Sequence, residues 1–503
     1  MIPLAYDCAL FGKGLLLNAE TEMRKLILES GDGDALRMYN EIQESRVKLD
    51  RFYANPVGKK EMIDSLNNDI ERRQQELMKQ SKVFGDYTHN LALKWTDVQA
   101  SLGKKDIAIE FETYTHQDTT FYIALTLRPE YTEPHLVELF NSKDLGQISP
   151  KRYYTSTSVT ELVWGKFAEE LNGVQNVYFS PAGELNNIAI EYLLDEDGKH
   201  LISEKRNYYR LTSTRELAKE HSSKKMTDAT VYGGIRYDIS PNSNLTGEET
   251  ETERLARTAT RSWMPMDSLS VTRGGWVYLP GTKEEAEAIS STLSSRRVRN
   301  VLLEGENGTE ESFKALSGAK KDVIHIATHG FYWTETETAR SGMETSSFML
   351  DGESQAPKED KALTRSGLLF AGAQNAFEGK DIPIDIEDGI LTAKDISRMD
   401  LRGTDLVVIS ACQSGLGEVT GDGVFGLQRG FKKAGVQSIV MSLWEVSDEA
   451  TKIMMTRFYE YLAKGKSKYD AFREAQRYLR KYEGGLYDEP EYYAAFVLLD
   501  AIK

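Results

Sequence analysis

Cysteine is nearly missing from this chain: Cys8 and Cys412 are the only two in 503 residues. Two are too few for a disulfide framework, and they lack the C-x-x-C pairing of a zinc site. A reducing cytoplasm is the expected setting. Also missing is any run of about 18 uncharged apolar residues. The opening stretch MIPLAYDCALFGKGLLLN places Asp7 and Lys13 inside its apolar run. Neither a membrane span nor a signal peptide is expected. Positive charge is not in excess, since 62 Lys and Arg stand against 78 Asp and Glu, a net charge of −16. That balance opposes the phosphate attraction behind most nucleic-acid affinity and argues against DNA or RNA as a direct partner. G-x-S-x-G, H-E-x-x-H and the Asp-rich spacing of an EF-hand do not occur, and no metal or cofactor is predicted.

What is present is the composition of an ordinary globular chain, with 40% hydrophobic and 28% charged residues. At roughly 100 to 200 residues per domain, two to four packed units are expected. Up to residue 103 the pattern is helical. Met62, Leu66, Ile70 and Leu77 recur at helical intervals and predict an amphipathic helix, and Cys8 reads as a small buried hydrophobe. No repeat of about 34 residues is visible, yet the abrupt helical opening resembles the end of a longer array. From Lys104 the period changes to two. Ile107, Ile109 and Phe111 alternate with Ala108, Glu110 and Glu112, and FYIALTL follows after a short turn, which predicts a hairpin. A mixed α/β unit, including the strand VQNVYFSP, extends to residue 226.

From Thr227 short, nearly all-apolar segments alternate with helical ones: VYGGIRYD, VRNVLLEG, DVIHIATH, DLVVISAC, QSIVMSLW and YAAFVLLD. Such runs read as strands covered on both faces, and the alternation predicts parallel pairing. Thr282 with Glu285 and Thr392 with Asp395 have capping-box spacing, and Ser447 precedes a further helix. Gly435 and Gly465 fall where helices would stop. Residues 238–270 and 333–367 read as long surface loops.

In open parallel sheets ligands bind beyond the carboxyl ends of the strands, so the residues ending each apolar run carry the information. His329 ends DVIHIATH and Cys412 ends DLVVISAC. If these strands are neighbours, about 4.8 Å apart, thiol and imidazole can meet across the gap as a Cys-His dyad. His325 lies on the same strand face but roughly 13 Å deeper, too deep to share the task. A lone Cys or His at a strand end is usually packing. Two at matching ends, each followed by glycine-bearing sequence (HGFY and CQSGLG), are less expected from packing alone. Such glycines let a backbone turn its N–H groups toward a developing oxyanion.

HIATHG, LVVISACQSGLG, GDGVFGLQRGFKKAGVQSIVMSLWEVSDEAT, FYEYLAKGKSKYDAFREAQ and YYAAFVLLD resemble the CHAT peptidases, caspase-like proteins related to separase and often joined to TPR arrays. The resemblance is strongest over residues 321–500, and GILTAKDISRMDL and LPGTKEEAEAI share it. Residues 1–226 resemble the helical and pseudo-peptidase portions that precede such a domain. The resemblance implies an α/β, caspase-like, open and mostly parallel sheet with helices on both faces. A pseudo-peptidase α/β unit and an N-terminal helical region would precede it. The expected division is 1–103 helical region, resembling the end of a TPR-like array, 104–226 pseudo-peptidase unit and 227–503 peptidase domain. It further implies cysteine endopeptidase activity with Cys412 as nucleophile and His329 as acid and base. Backbone N–H groups of Gly330 and Cys412 would hold the oxyanion. The pocket for the residue before the scissile bond would be built by Arg236 to Asp238, Ser410, and Glu445 to Asp448. Asp238 would line this pocket, and Glu445 and Asp448 suit a basic side chain, although an acid at 448 is equally favoured by a helix start. Ser410 is small and neutral, which disfavours aspartate. A protein substrate and a regulatory partner bound through the helical N-terminal region are expected.

Two other readings stand beside this one. Gly421, Gly423 and Gly426 spell G-x-G-x-x-G, with Glu445 at about the distance of a ribose-binding acid. A dinucleotide turn, however, starts directly after its strand, and CQSGLGEVT intervenes here. Gly465, Lys466 and Ser467 mimic a phosphate loop, but the position five before Gly465 is Glu460. The other alternative is a catalytically silent caspase-like scaffold, which would need neither His329 nor Cys412.

Overall fold

The computed structural model describes residues 1–13, 27, 31–54, 60–80, 93–219, 225–238, 276–332, 362–377, 387–411, 417–420, 423–445 and 447–502. Five strands form its first half: β1 (Asp106–His116), β2 (Thr119–Leu127), β3 (His135–Asn141), β4 (Asn176–Ser180) and β5 (Asn207–Arg210). The alternation around Ile107 and Phe111 does produce a hairpin, β1 against β2, with Gln117 and Asp118 at positive φ between them. The second half contains β6 (Asp228–Ile235), β7 (Arg299–Gly305), β8 (Val323–Ala327), β9 (Gly330–Tyr332), β10 (Ser366–Leu369) and β11 (Ile390–Thr392). It continues with β12 (Leu406–Ser410), β13 (Gly417–Thr420), β14 (Gly423–Gly426), β15 (Ser438–Ser442) and β16 (Phe496–Leu499).

Eleven of these strands make one sheet in the order β3-β2-β1-β4-β5-β16-β15-β12-β8-β6-β7. Only β3-β2, β2-β1 and β16-β15 pair antiparallel. YAAFVLLD therefore departs from the parallel pattern expected of it. It enters from the opposite end and joins the two halves through the pairing of Leu499 with Arg210. Smaller sheets of three strands (β11-β10-β9) and two (β13-β14) lie apart. The loop expected over 333–367 closes early, because β10 begins at Ser366. Residues 333–361 and most of the acidic loop fall outside the described residues, while 362–364 are helical.

Strands β8, β12 and β15 are buried at every position, as all-apolar runs require. On one face, helices α3 (Pro280–Ser295) and α6 (Asp448–Ala463) pack over them. Their side chains Glu285 and Tyr459 reach His325 there. On the other face Tyr232 meets Phe313, which meets Phe431 of α5 (Leu427–Lys433). Helices thus cover both faces. Thr392 and Asp395 form the expected capping box of α4 (Ala393–Arg398). Gly435 and Gly465 take positive φ just past α5 and α6.

Thr282 and Glu285 form no such box. Helix α3 starts one turn earlier, with Pro280 at its first position and Leu279 as cap, where proline's missing N–H costs nothing. Thr282 instead accepts from Gly234 N–H, and Glu285 turns inward. Ser447 does precede α6, without a side-chain cap bond. The backbone of α3 lies directly on Gly233, where an added Cβ would stand 2.4 Å from Thr282 O and 2.6 Å from Ala286 Cβ. Gly233→Ala should destabilise the protein by about 1–3 kcal/mol through this overlap. An unchanged thermal midpoint would contradict so close an approach.

Helices α1 (Gly33–Ala54) and α2 (Lys60–Gln80) pack on each other around Ala35, Tyr39, Ile42, Leu49, Ile63, Ile70 and Leu77, a core separate from that of the sheet. Its seam runs through Ile63, Ile70 and Leu77, seven residues apart, so Met62, expected inside, is exposed. Residues 2–13 are helical and belong to the main core, with Tyr6 and Leu10 fully buried. Cys8, expected buried, is exposed on this helix; Tyr6, Ala9 and Leu10 already fill the inward face. Among the described residues no helix is long and apolar enough to cross a membrane.

Candidate active site

Four parallel strands, β15, β12, β8 and β6, lie side by side and present their carboxyl ends along one rim. Between β8 and β12 the register pairs Val323 with Leu406 and Ala327 with Ser410. His329 lies two residues beyond Ala327, and Cys412 follows Ser410 by the same two positions. Cys412 itself is outside the described residues.

The His329 backbone is fixed from two sides. Its N–H donates to Tyr237 Oη at 3.2 Å, and its carbonyl accepts from Leu369 N–H at 3.0 Å. Tyr237 in turn donates to Thr328 Oγ1, whose own proton goes to Leu369 O. The ring is half-buried between Tyr237 and Trp276, with centroids at 5.0 and 5.3 Å. Its Nε2 lies 2.8 Å from Val277 O. A carbonyl only accepts, so Nε2 carries the proton and Nδ1 keeps its lone pair in the neutral ring. Gly330 opens β9 opposite Leu368. Because His329 and Leu369 already share a bond, antiparallel alternation turns the Gly330 N–H away from β10.

Ser410 ends β12, is buried and donates to Glu285 Oε2 at 3.0 Å. Asp238 follows β6 and is exposed, 3.7 Å from the Arg236 guanidinium. Glu445 follows β15, half-buried, and burial pushes its carboxyl above the usual range. Asp448 opens α6 and crowds Gly281 in the first turn of α3, where a Cβ would meet Asp448 Oδ2 at 2.3 Å. All four thus stand at or beyond the carboxyl ends of the rim strands or on the helix that follows. Asp448 meets α3, while Asp238 keeps to the β6 side. His325 is fully buried against Glu285 and Tyr459, well below the rim. The glycine-motif alternative finds no dinucleotide turn: Gly423 and Gly426 lie in β14, antiparallel to β13, and Gly421 is outside the described residues.

Residues 155–501, more than half of the chain, match the CHAT domain family. This chain belongs to that family. Human tetratricopeptide repeat protein 28 is similar to it, 28% identical over 229 residues, as is the mouse protein, 27% over 226. Each alignment covers 44% of this chain but only 8% of the human and 9% of the mouse protein. Among solved structures, the Arg-specific cysteine proteinase gingipain R is 10% identical, with 71% of this chain and 69% of that one covered and a TM-score of 0.37. The complex of Porphyromonas gingivalis RgpB pro- and mature domains gives the same identity and TM-score over 69% of this chain and 68% of its own.

Within this CHAT domain several site residues escaped the sequence reading. Val277 and Trp276 had no motif, because what they contribute is a carbonyl and a ring face set by tertiary packing; Tyr237 lay within the expected pocket segment Arg236 to Asp238, but its hold on His329 was not legible. Glu285 was visible only as a capping residue. Burial pushes the His329 imidazole down to about 4, the bond to Val277 offsetting part of this. The unfolded chain, with an ordinary value of about 6.5, then binds more protons than the folded one between about pH 4 and 6.5. Stability associated with His329 should be complete above that window and fall as pH drops through it. A histidine NMR titration of the CHAT domain should place the His329 midpoint well below the ordinary value; a midpoint near 6.5 would contradict the burial argument.

Proposed function

We propose that the chain is a cysteine endopeptidase acting on a protein substrate. The observation that carries this reading is the pairing of Ala327 with Ser410, which gives His329 and position 412 equal offsets along adjacent parallel strands. Nδ1 of His329 takes the Cys412 proton, and the thiolate adds to the scissile carbonyl carbon. Backbone N–H groups of Gly330 and Cys412 hold the resulting oxyanion. The tetrahedral intermediate collapses as the protonated imidazole gives its proton to the leaving amine, breaking the C–N bond and leaving a thioester on Cys412. A water molecule, deprotonated by His329, hydrolyses the thioester and restores thiol and imidazole. Val277 keeps the ring in the tautomer this sequence needs. The acids at 445 and 448 favour a basic residue before the scissile bond, and the helical N-terminal region receives a regulatory protein.

The test uses a Cys8→Ser background, because exposed Cys8 competes for thiol reagents. A basic peptidyl irreversible probe should label Cys412 in the wild-type site and fail to do so after His329→Ala. A fluorogenic peptide library should show preference for Arg or Lys. Labelling no greater than with a plain alkylating agent would favour the silent scaffold.

A further inference from the structure

Glu285 is 2% exposed and sits between the two central rim strands. Its Oε2 accepts from Ser410 at the end of β12, and its Oε1 lies 3.2 Å from Nε2 of fully buried His325 on β8. The ring of Tyr459, from α6, covers His325 from the side. Replacing such a buried polar cluster by well-packed apolar groups is often neutral or stabilising, so stability alone does not account for it. Its position is informative. Helix α3 carries Glu285, and the segment leading into α3 carries Trp276 and Val277, which contact the His329 ring. That lead-in is tied at its far end by Trp276 N–H donating to Gln374 Oε1 at 2.8 Å. At its near end Thr282 bonds Leu279 O and Gly234 N–H, fixing α3 to β6.

We infer that Glu285 is a positioning residue: one buried carboxylate, hydrogen-bonded to the end of β12 and lying against His325 in the middle of β8, locks α3 onto the sheet and so sets the Val277 carbonyl against His329 in register with position 412. It touches no reacting atom. Ser410 then serves this lock, whether or not it also borders the substrate pocket. Only the kinetic arm of the test rests on the peptidase reading.

The test uses the full chain with isotope-labelled histidine, the His329 signals being assigned by their loss in His329→Gln. In wild type, nitrogen shifts should show protonated Nε2 and free Nδ1. In Glu285→Ala the two tautomers should mix and the titration midpoint should move toward the ordinary value. Glu285→Gln, which still accepts from Ser410, should keep the wild-type signature. With a cleavable peptide, Glu285→Ala should lower kcat about 10- to 100-fold with little change in KM, and Glu285→Gln should recover most of it. An unchanged His329 signature in folded Glu285→Ala overturns the inference, as does a Gln variant no better than Ala. If Glu285→Ala does not fold, Ser410→Ala cuts the same tie from the strand side, and an unchanged signature there overturns it equally. Absence of cleavage by wild type would sink the peptidase reading, while the tautomer measurement still decides the role of Glu285.

Discussion

Alanine at position 412 is expected to abolish peptide-bond cleavage, and alanine at position 329 to lower kcat/KM by about 10²- to 10⁴-fold. The first loss is total because Cys412 is the group that forms the acyl bond in the proposed reaction; the second is partial because the thiol retains a small thiolate fraction without its base. The double variant should be no worse than Cys412→Ala alone, since residues acting as one unit are non-additive. Neither change should lower the thermal midpoint much: His329 is half-buried and its backbone is held by Tyr237 and Leu369 independently of the ring. Cleavage retained by Cys412→Ala, or unaffected by His329→Ala, rejects the assigned roles.

Removing the charge of Lys13 is expected to cost about 3–5 kcal/mol of stability in Lys13→Met. Lys13 is 4% exposed, and its ammonium lies 3.0 Å from Glu110 Oε1 and 3.5 Å from Glu112 Oε1. It also donates to Phe111 O, Ser180 Oγ and Pro181 O. Glu110 is fully buried, and its other oxygen accepts from Thr214 N–H and Oγ1, where Tyr6 also bonds. Without the ammonium, the Glu110 carboxylate remains in the core and loses the cation that faces its Oε1. Burial alone would lower the Lys13 pKa, but Glu110 and Glu112 more than offset it, so the value is raised. Its contribution is therefore complete at neutral pH and is lost only as pH rises above about 10.5. Chemical denaturation should show the earliest transition moved to lower denaturant in Lys13→Met. Adding Glu110→Gln should recover more than half of the shift. A single-variant cost under about 1 kcal/mol would mean that the pair does not hold the N-terminal helix.

The legibility of this protein from its residues was uneven. VIHIA and LVVIS announced two-face burial, and their ends pointed to His329 and Cys412; the adjacency this needed is observed in the register of β8 and β12. Thr392 with Asp395, and the hairpin of β1 and β2, were equally readable, because their partners lie within a few residues. Misreadings arose where a local pattern met a distant partner. Thr282 and Glu285 have capping spacing, yet Gly234 and Ser410, far away along the chain, claim them instead. Met62 and Cys8 were placed inside by hydrophobicity, but the inward faces of their helices are occupied by Ile63 and by Tyr6, Ala9 and Leu10. The antiparallel entry of β16 left no mark in YAAFVLLD, since an apolar run reads the same in either direction.

Composition and pattern by themselves determined the layered α/β architecture, the rim on which chemistry is possible and the pair of residues on which the peptidase reading rests. These follow from periodicity and from burial, which act residue by residue along the chain. Only the tertiary structure decided which proton His329 keeps, through a carbonyl at Val277 that any amino acid would have supplied. It alone also turned Glu285 from a helix cap into a buried tie from α3 to the end of β12. Hydrogen bonds of this kind depend on where backbones converge in space, and side-chain identity at one position does not encode that convergence.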